Sequence, residues 1–336
     1  MSTRVKEILV VVLVLLFSAV IYAGKVSGWM TGVSFSPAVS VLVIVALAAS
    51  LIVILVMTIK GRLVGRRTVF LYVGFAVALP LFMSISQYIP TSPEVRSLYE
   101  GLESLPDGSK VLVSFDYDPP SAPELQPMAE SFFRYAFDRK FKVIIMGLWP
   151  QGPLQANQAI ERVMQDEKYA SLGLQYGVDY CNLGFQTGNE FVIQRMGSDF
   201  RSMFPTDYSG THYEDLPIVR NVKNFSNVDY VFNLSAGYPG TIEWVQVAVD
   251  RYGVKLGAGN TAVQAPQCYP YLRSGQLIGI LGGMNGAAEF EKMTGHEAKG
   301  TKFMLSQSFS HMIVIAFIII GNVAFFMGGR KSNLSA

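Results

Sequence analysis

Lys110–Tyr117, KVLVSFDY, and Lys142–Trp149, KVIIMGLW, decide how this chain folds. Each is a short run of apolar, β-branched and aromatic residues, the pattern of a strand buried on both faces. Between them, Ala122–Arg139 repeats its apolar residues at helical spacing. Strand, helix, strand makes a βαβ unit, and the alternation continues downstream. Pro153–Tyr169 reads as a helix, Asp179–Phe185 as a strand, and Asn189–Met203 as a helix opened by Asn189-Glu190. Asp229–Ser235 follows as a strand, Thr241–Tyr252 as a helix, and Val254–Gly257 with Thr261–Val263 as a short or bulged fifth strand.

Near-continuous apolar strands alternating with helices call for a parallel sheet whose crossovers cover both faces. The expectation is an α/β, Rossmann-like three-layer domain with about five mostly parallel strands, ordered 2-1-3-4-5 or 3-2-1-4-5. Two stretches stand outside the alternation. Phe204–Ser226 is too long for an ordinary connection and reads as a lid or binding surface. Tyr271–Met293, with LIGILGG at 277–283, is too short and glycine-rich to cross a membrane. It reads as a buried helix, a turn or a surface-lying segment.

Outside this domain the chain changes character. Half of all residues are apolar and only 15% are charged, against about 25% in soluble domains. The excess lies in Ile8–Ala23, Val39–Ile59, Val69–Ile89 and Met312–Met327, uncharged runs near the roughly 20 residues that cross a hydrocarbon core. Four transmembrane helices are expected. Arg4 and Lys6 before a short apolar core, with Ile21-Tyr22-Ala23 after it, also fit a signal peptide, and the orientation downstream is the same in either case. Lys60, Arg62, Arg66 and Arg67 sit between the second and third runs, and basic loops stay cytoplasmic. Residues 1–89 are thus an anchor with three spans, 90–307 an extracytoplasmic domain, and 308–336 a fourth span with a short cytoplasmic tail. Both termini are cytoplasmic. Gly74-x-x-x-Ala78 and Gly321-Asn322 mark helix packing, and Pro80 a kink.

Ligands of an open parallel sheet bind beyond the carboxyl ends of its strands. Asp116 and Asp118, two residues apart at such an end, are of the type that ligates a hard cation, and equally of the type that makes an Asx turn before a helix. No third acidic cluster completes a coordination shell, so no metal is expected. Gly237 and Gly240 precede a helix start, where free amides hold anions. Gly257, Gly259 and Asn260 open a formal G-x-G-x-x-A match, but at the last strand and running into Pro266, so the glycines read chiefly as turns. His212, near Asp207, Glu214 and Asp215, is the one histidine placed for acid-base work. Cys181 and Cys268 read as free buried thiols, with a disulfide open only if their segments converge.

No catalytic motif appears. The expected function is a non-enzymatic integral membrane subunit whose outer domain binds a protein partner or helps assemble a membrane complex. A small-ligand-binding or sensory domain is the alternative, and a metal-assisted hydrolase using Asp116, Asp118 and His212 the second. Expected partners are the lipid bilayer and other membrane subunits, with a possible small ligand and no nucleic acid. No cofactor is expected.

Overall fold

The computed structural model describes residues 35–60, 65–83, 88–296 and 298–332. The first expected span, with Arg4, Lys6, Lys25 and Arg62, lies outside the described residues. The chain divides into two compact units: Met1–Ser86 with Leu305–Ala336, and Gln87–Met304.

In the first unit, α1 (Pro37–Ile59) starts at Ser36, whose hydroxyl accepts from the Val39 amide, and proline occupies the first turn. The next helix, α2 (Arg66–Ala78), tightens into a 3-10 turn, Leu79–Phe82, where Pro80 removes an amide donor. At 13 residues α2 is shorter than a span. Tyr72 meets Phe317 edge to face at 5.6 Å.

The second unit begins with α3 (Pro93–Glu103), followed by β1 (Lys110–Asp116), α4 (Ala122–Asp138), β2 (Lys142–Gly147), α5 (Gly152–Met164) and β3 (Tyr180–Phe185). Next come α6 (Glu190–Met196), β4 (Tyr230–Ser235) and α7, which runs from Thr241–Trp244 through a π-helical turn, Val245–Val249, to Asp250–Tyr252. The unit closes with β5 (Leu256–Asn260), α8 (Ala265–Arg273), β6 (Gly279–Gly282), α9 (Gly283–Thr294) and the start of α10 (Lys299–Ser332). Only two described helices are long and apolar enough to cross a membrane, α1 and residues 299–326 of α10.

The six strands pair in the order β3-β2-β1-β4-β5-β6, every pair parallel. Side chains alternate across each strand. Val111, Val113, Phe115, Phe232 and Leu234 pack on one face under α3, α4, α5 and α9. Leu112, Ile144, Cys181, Val231 and Leu256 pack on the other under α6, α7 and α8. Phe132 of α4 stacks on Phe232 of β4 at 4.4 Å, and truncating a buried ring of this kind costs about 3–5 kcal/mol.

Three expectations change. The fifth strand is Leu256–Asn260 and takes in the glycines expected to form a turn. The segment read as a helix, turn or surface piece supplies a sixth strand, Gly279–Gly282, with α9 behind it. The 204–226 stretch is no lid: Phe204, Tyr213, Leu216, Val219, Val222 and Phe225 are buried in the second core, where they do the work of a covering helix.

Two buried acids of α9 hold the ends of this unit. Glu289 Oε2 accepts from the Ser92 amide at 2.7 Å and its hydroxyl at 2.6 Å, just before α3. Glu291 accepts from the amides of Ala298, Gly300 and Thr301 at 2.8–2.9 Å and from the Thr301 hydroxyl, satisfying the free donors at the start of α10.

A methyl group on Gly279 would stand 2.3 Å from the Leu98 amide nitrogen, so α3 lies directly on β6. Gly279→Ala is therefore expected to cost about 1–3 kcal/mol of stability through overpacking. A lower thermal midpoint of the full chain in detergent checks this, and an unchanged midpoint would mean that β6 is not in contact with α3.

Candidate functional site

The chain leaves β1 toward one face of the sheet and β4 toward the other, so the switch point of this fold lies between their carboxyl ends. Asp116 ends β1 there, fully buried. Its carboxylate receives four donors: the Ser114 hydroxyl on both oxygens (2.8 and 2.9 Å), the Leu148 amide (2.7 Å), Asn233 Nδ2 (2.6 Å) and Trp244 Nε1 (3.0 Å). Burial pushes its pKa up to about 7, against the pull of those donors.

From Asn233 the network runs on through Thr241, whose hydroxyl donates to Asn233 Oδ1 at 2.6 Å and accepts from Asn260 Nδ2 at 2.8 Å. Asn260 Nδ2 also donates to Gln264 Oε1, and Gln264 Nε2 donates to the Gly237 carbonyl, both at 3.0 Å. Side chains of β1, β4, β5, α7 and the approach to α8 thus fill the crevice from within. Asn260 Oδ1 is the exception, buried without a hydrogen-bond partner.

The expected site residues separate on this map. Asp116 belongs to the buried network, whereas Asp118 is half-buried at the start of a 3-10 turn and its carboxylate makes no capping bond. Gly237 and Gly240 lie in the loop after β4, beside the cis Tyr238–Pro239 peptide. A methyl group on Gly240 would fall 1.9 Å from Ser235 Oγ, so that position has room for hydrogen alone. Gly257 and Gly259 are inside β5, against Tyr230 and against Leu234 and Met128 respectively, where they allow helix and sheet to approach. Asn260 ends that strand in the polar network.

His212 is exposed, and two of its three acidic neighbours are engaged elsewhere. Asp207 accepts from Tyr176 OH and from the Ser209 and Thr211 amides, and Glu214 pairs with Arg201. Among the described residues no group of three or more His, Cys, Asp or Glu is placed to hold a metal. Cys181 and Cys268 are unbonded and buried, and burial pushes the Cys268 thiol up to about 11 and that of Cys181 higher still.

At the β3 side of the carboxyl edge, and in the loop after β4, the surface is aromatic. Phe185 is 37% exposed, Phe191 60%, Tyr208 51% and Tyr238 61%. Tyr208 lies over Gly184, next to Phe185, and Tyr238 OH accepts from Asn189 Nδ2 at 3.3 Å, two residues before Phe191. Trp149 Nε1 donates to the Pro239 carbonyl at 2.8 Å and steadies the loop. Sequence reading found Asp116 but not Ser114, Asn233, Thr241, Trp244 and Gln264. The signal for the first two was a polar residue inside a strand otherwise made of apolar ones.

No family model, no curated protein and no solved structure matches this chain.

Asp116 keeps its proton to higher pH in the folded state than the ordinary 3.8 of the unfolded chain. The folded state therefore holds the extra proton between about pH 4 and 7, and Asp116 makes stability fall as pH rises through that window, by at most about 1.4 kcal/mol per pH unit. Asp116→Asn is expected to flatten this slope. It also turns an amide toward donors, at a cost of about 1–3 kcal/mol. Thermal midpoints of both forms at pH 4.5 and 7.5 check this, and parallel pH profiles would contradict it.

Proposed function

We propose that this protein is a non-enzymatic membrane subunit whose α/β domain binds a protein partner or helps assemble a membrane complex. The observation that carries the reading is the contrast at the carboxyl edge of the sheet. The crevice that would take a small ligand is filled by the chain's own side chains, while Phe185, Phe191 and Tyr208 at the β3 side of the same edge, and Tyr238 in the loop after β4, are exposed. Exposed aromatic groups of this kind are characteristic of protein interfaces.

Membrane attachment rests on α1 and α10, whose outward surfaces include Leu42, Ile52, Ile318 and Phe325, all more than half exposed. Multi-pass topology, with residues 8–23 and 69–89 as the other spans, rests on their apolar sequence. Lys60, Arg62, Arg66 and Arg67 favour a cytoplasmic loop after α1 and an extracytoplasmic α/β domain. Gly74 and Gly321 have no described atom within 4 Å of an added methyl group, and Asn322 Nδ2 bonds back to Ile318 of its own helix, so these faces have room for a further helix.

A small-ligand reading has one observation in its favour, the partnerless Asn260 Oδ1 among Thr241, Gln264 and Gly237. A ligand-dependent rise in thermal midpoint, lost in Asn260→Ala, would favour it over the subunit reading.

Two outcomes are expected. Extraction in a mild detergent yields a complex with a stoichiometric second polypeptide, and Phe191→Ala with Tyr238→Ala releases that polypeptide without lowering the thermal midpoint of the chain. A lone monomer or homo-oligomer would contradict the subunit reading. Protease added outside intact spheroplasts digests the α/β domain, and full protection would contradict the proposed sidedness.

A further inference from the structure

We propose that the carboxyl edge of the sheet receives a basic polypeptide segment, whose arginine or lysine side chain sits among Tyr238, Glu190 and Glu243. The inference rests on the subunit reading and deepens it by naming the chemistry of the partner. Six connections leave the strands at this edge, residues 117–124, 148–155, 186–191, 236–243, 261–268 and 283–289, and none contains a lysine or an arginine. They carry Asp118, Glu124, Glu190, Glu243 and Glu289 instead. Cations gather at the opposite edge, where Lys110 and Lys142 open β1 and β2 and Lys255 precedes β5.

Two of these carboxylates serve the fold. Glu124 accepts from the Ala262 amide at 2.8 Å, and Glu289 holds Ser92. Asp118, Glu190 and Glu243 form no ion pair among the described residues. Glu243 is half-buried, and burial pushes its pKa up, with repulsion from Glu190 adding to the rise, so the two acids lie near each other. Glu190 is also hydrogen-bonded to the Tyr238 hydroxyl and pushes that group's pKa up, with Glu243 contributing, which sets an exposed ring beside both acids. Asn260 Oδ1, the buried atom left without a partner at this edge, is an acceptor as well. These unmet groups call for a positively charged donor.

A guanidinium or ammonium group meets that demand in two ways. The carboxylates attract its charge, and the faces of Tyr238 and Phe191, 61% and 60% exposed, offer it cation–π contact. Complementary charge also steers encounter and turns away partners of the wrong sign, so nucleic acid and anionic lipid are repelled here. A small cation would use the carboxylates and leave Phe185, Phe191 and Tyr208 uncovered, whereas a polypeptide segment carrying arginine or lysine covers both the charge and the rings.

The test uses the full chain in a neutral detergent and, as probe, a fluorescent peptide of alternating arginine and serine, with a glutamate and serine peptide as control, both read by anisotropy. The arginine peptide is expected to bind and the glutamate peptide not. Glu190→Gln with Glu243→Gln weakens binding about tenfold and Phe191→Ala about threefold. Glu161→Gln, at an exposed position near the far end of α5, leaves it unchanged. No binding, equal binding of the two peptides, unchanged affinity in the double variant, or displacement by spermine at the same concentration of positive charge overturns the proposal. Glu243 Oε2 also accepts from the Gly240 amide at 2.7 Å. If loss of that cap unfolds the double variant, Glu190→Gln alone, expected to weaken binding about threefold, decides. A co-purified second polypeptide that is released by Phe191→Ala with Tyr238→Ala, but stays bound in the carboxylate variants and at high salt, removes the basic-segment inference and leaves the subunit reading. A chain that purifies alone yet prefers the arginine peptide removes the subunit reading and not the charge preference of the edge.

Discussion

The carboxylate of Asp116 ties together the segments that meet at the carboxyl ends of β1 and β4. A doubly wound parallel sheet sends its crossovers to opposite faces on either side of the switch point, and here the paired strands β1 and β4 run through that point beneath α4. Asp116 adds side-chain links to that ladder through hydrogen bonds from the residue after β2, from Asn233 on β4 and from Trp244 on α7. A buried carboxylate is tolerated only when its lone pairs are met, and here four donors meet them. The consequence reaches function. In the proposed reading the carboxylate serves the fold, and recognition falls to the exposed aromatic side chains beside it.

A second pair of buried acids does related work at the ends of the α/β unit. Glu289 and Glu291, two residues apart on α9, take the donors of Ser92 and of Ala298–Thr301. The first residues of α3 and of α10 are therefore fixed by one helix. That helix follows β6, so the sixth strand is needed for more than the width of the sheet. Loss of its contact with α3 would loosen the helix on which both ends of the unit depend.

β1 to β4 were legible in the sequence to within a residue or two, because strands buried on both faces leave runs such as VLVSF and VIIM that no other element explains. β5 and β6 were not. LGAGN and GILG carry the glycines of a turn, but Gly257, Gly259 and Gly279 are glycine because Tyr230, Met128 and the backbone of Leu98 occupy the space of a side chain. Propensity points one way at these positions and tertiary packing the other. The site was half legible. Asp116 stood out at a strand end, but its partners come from distant segments. Ser114 and Asn233 are register neighbours across β1 and β4, and only the pairing brings their polar groups together. The 204–226 stretch has loop composition with apolar residues at no regular period, so its role in the core shows only once the second face of the sheet is in place.

Site-specific photo-crosslinking in intact membranes tests the central claim most directly. A photoreactive phenylalanine analogue is placed at Phe191, among the exposed aromatic residues, and in a control at Leu172, which is 47% exposed in the turn after the short helix Glu167–Ala170. A discrete adduct with one polypeptide from position 191 and none from position 172 is the expected result. No adduct from position 191, or the same adducts from both positions, would contradict a protein-binding face at the carboxyl edge of the sheet.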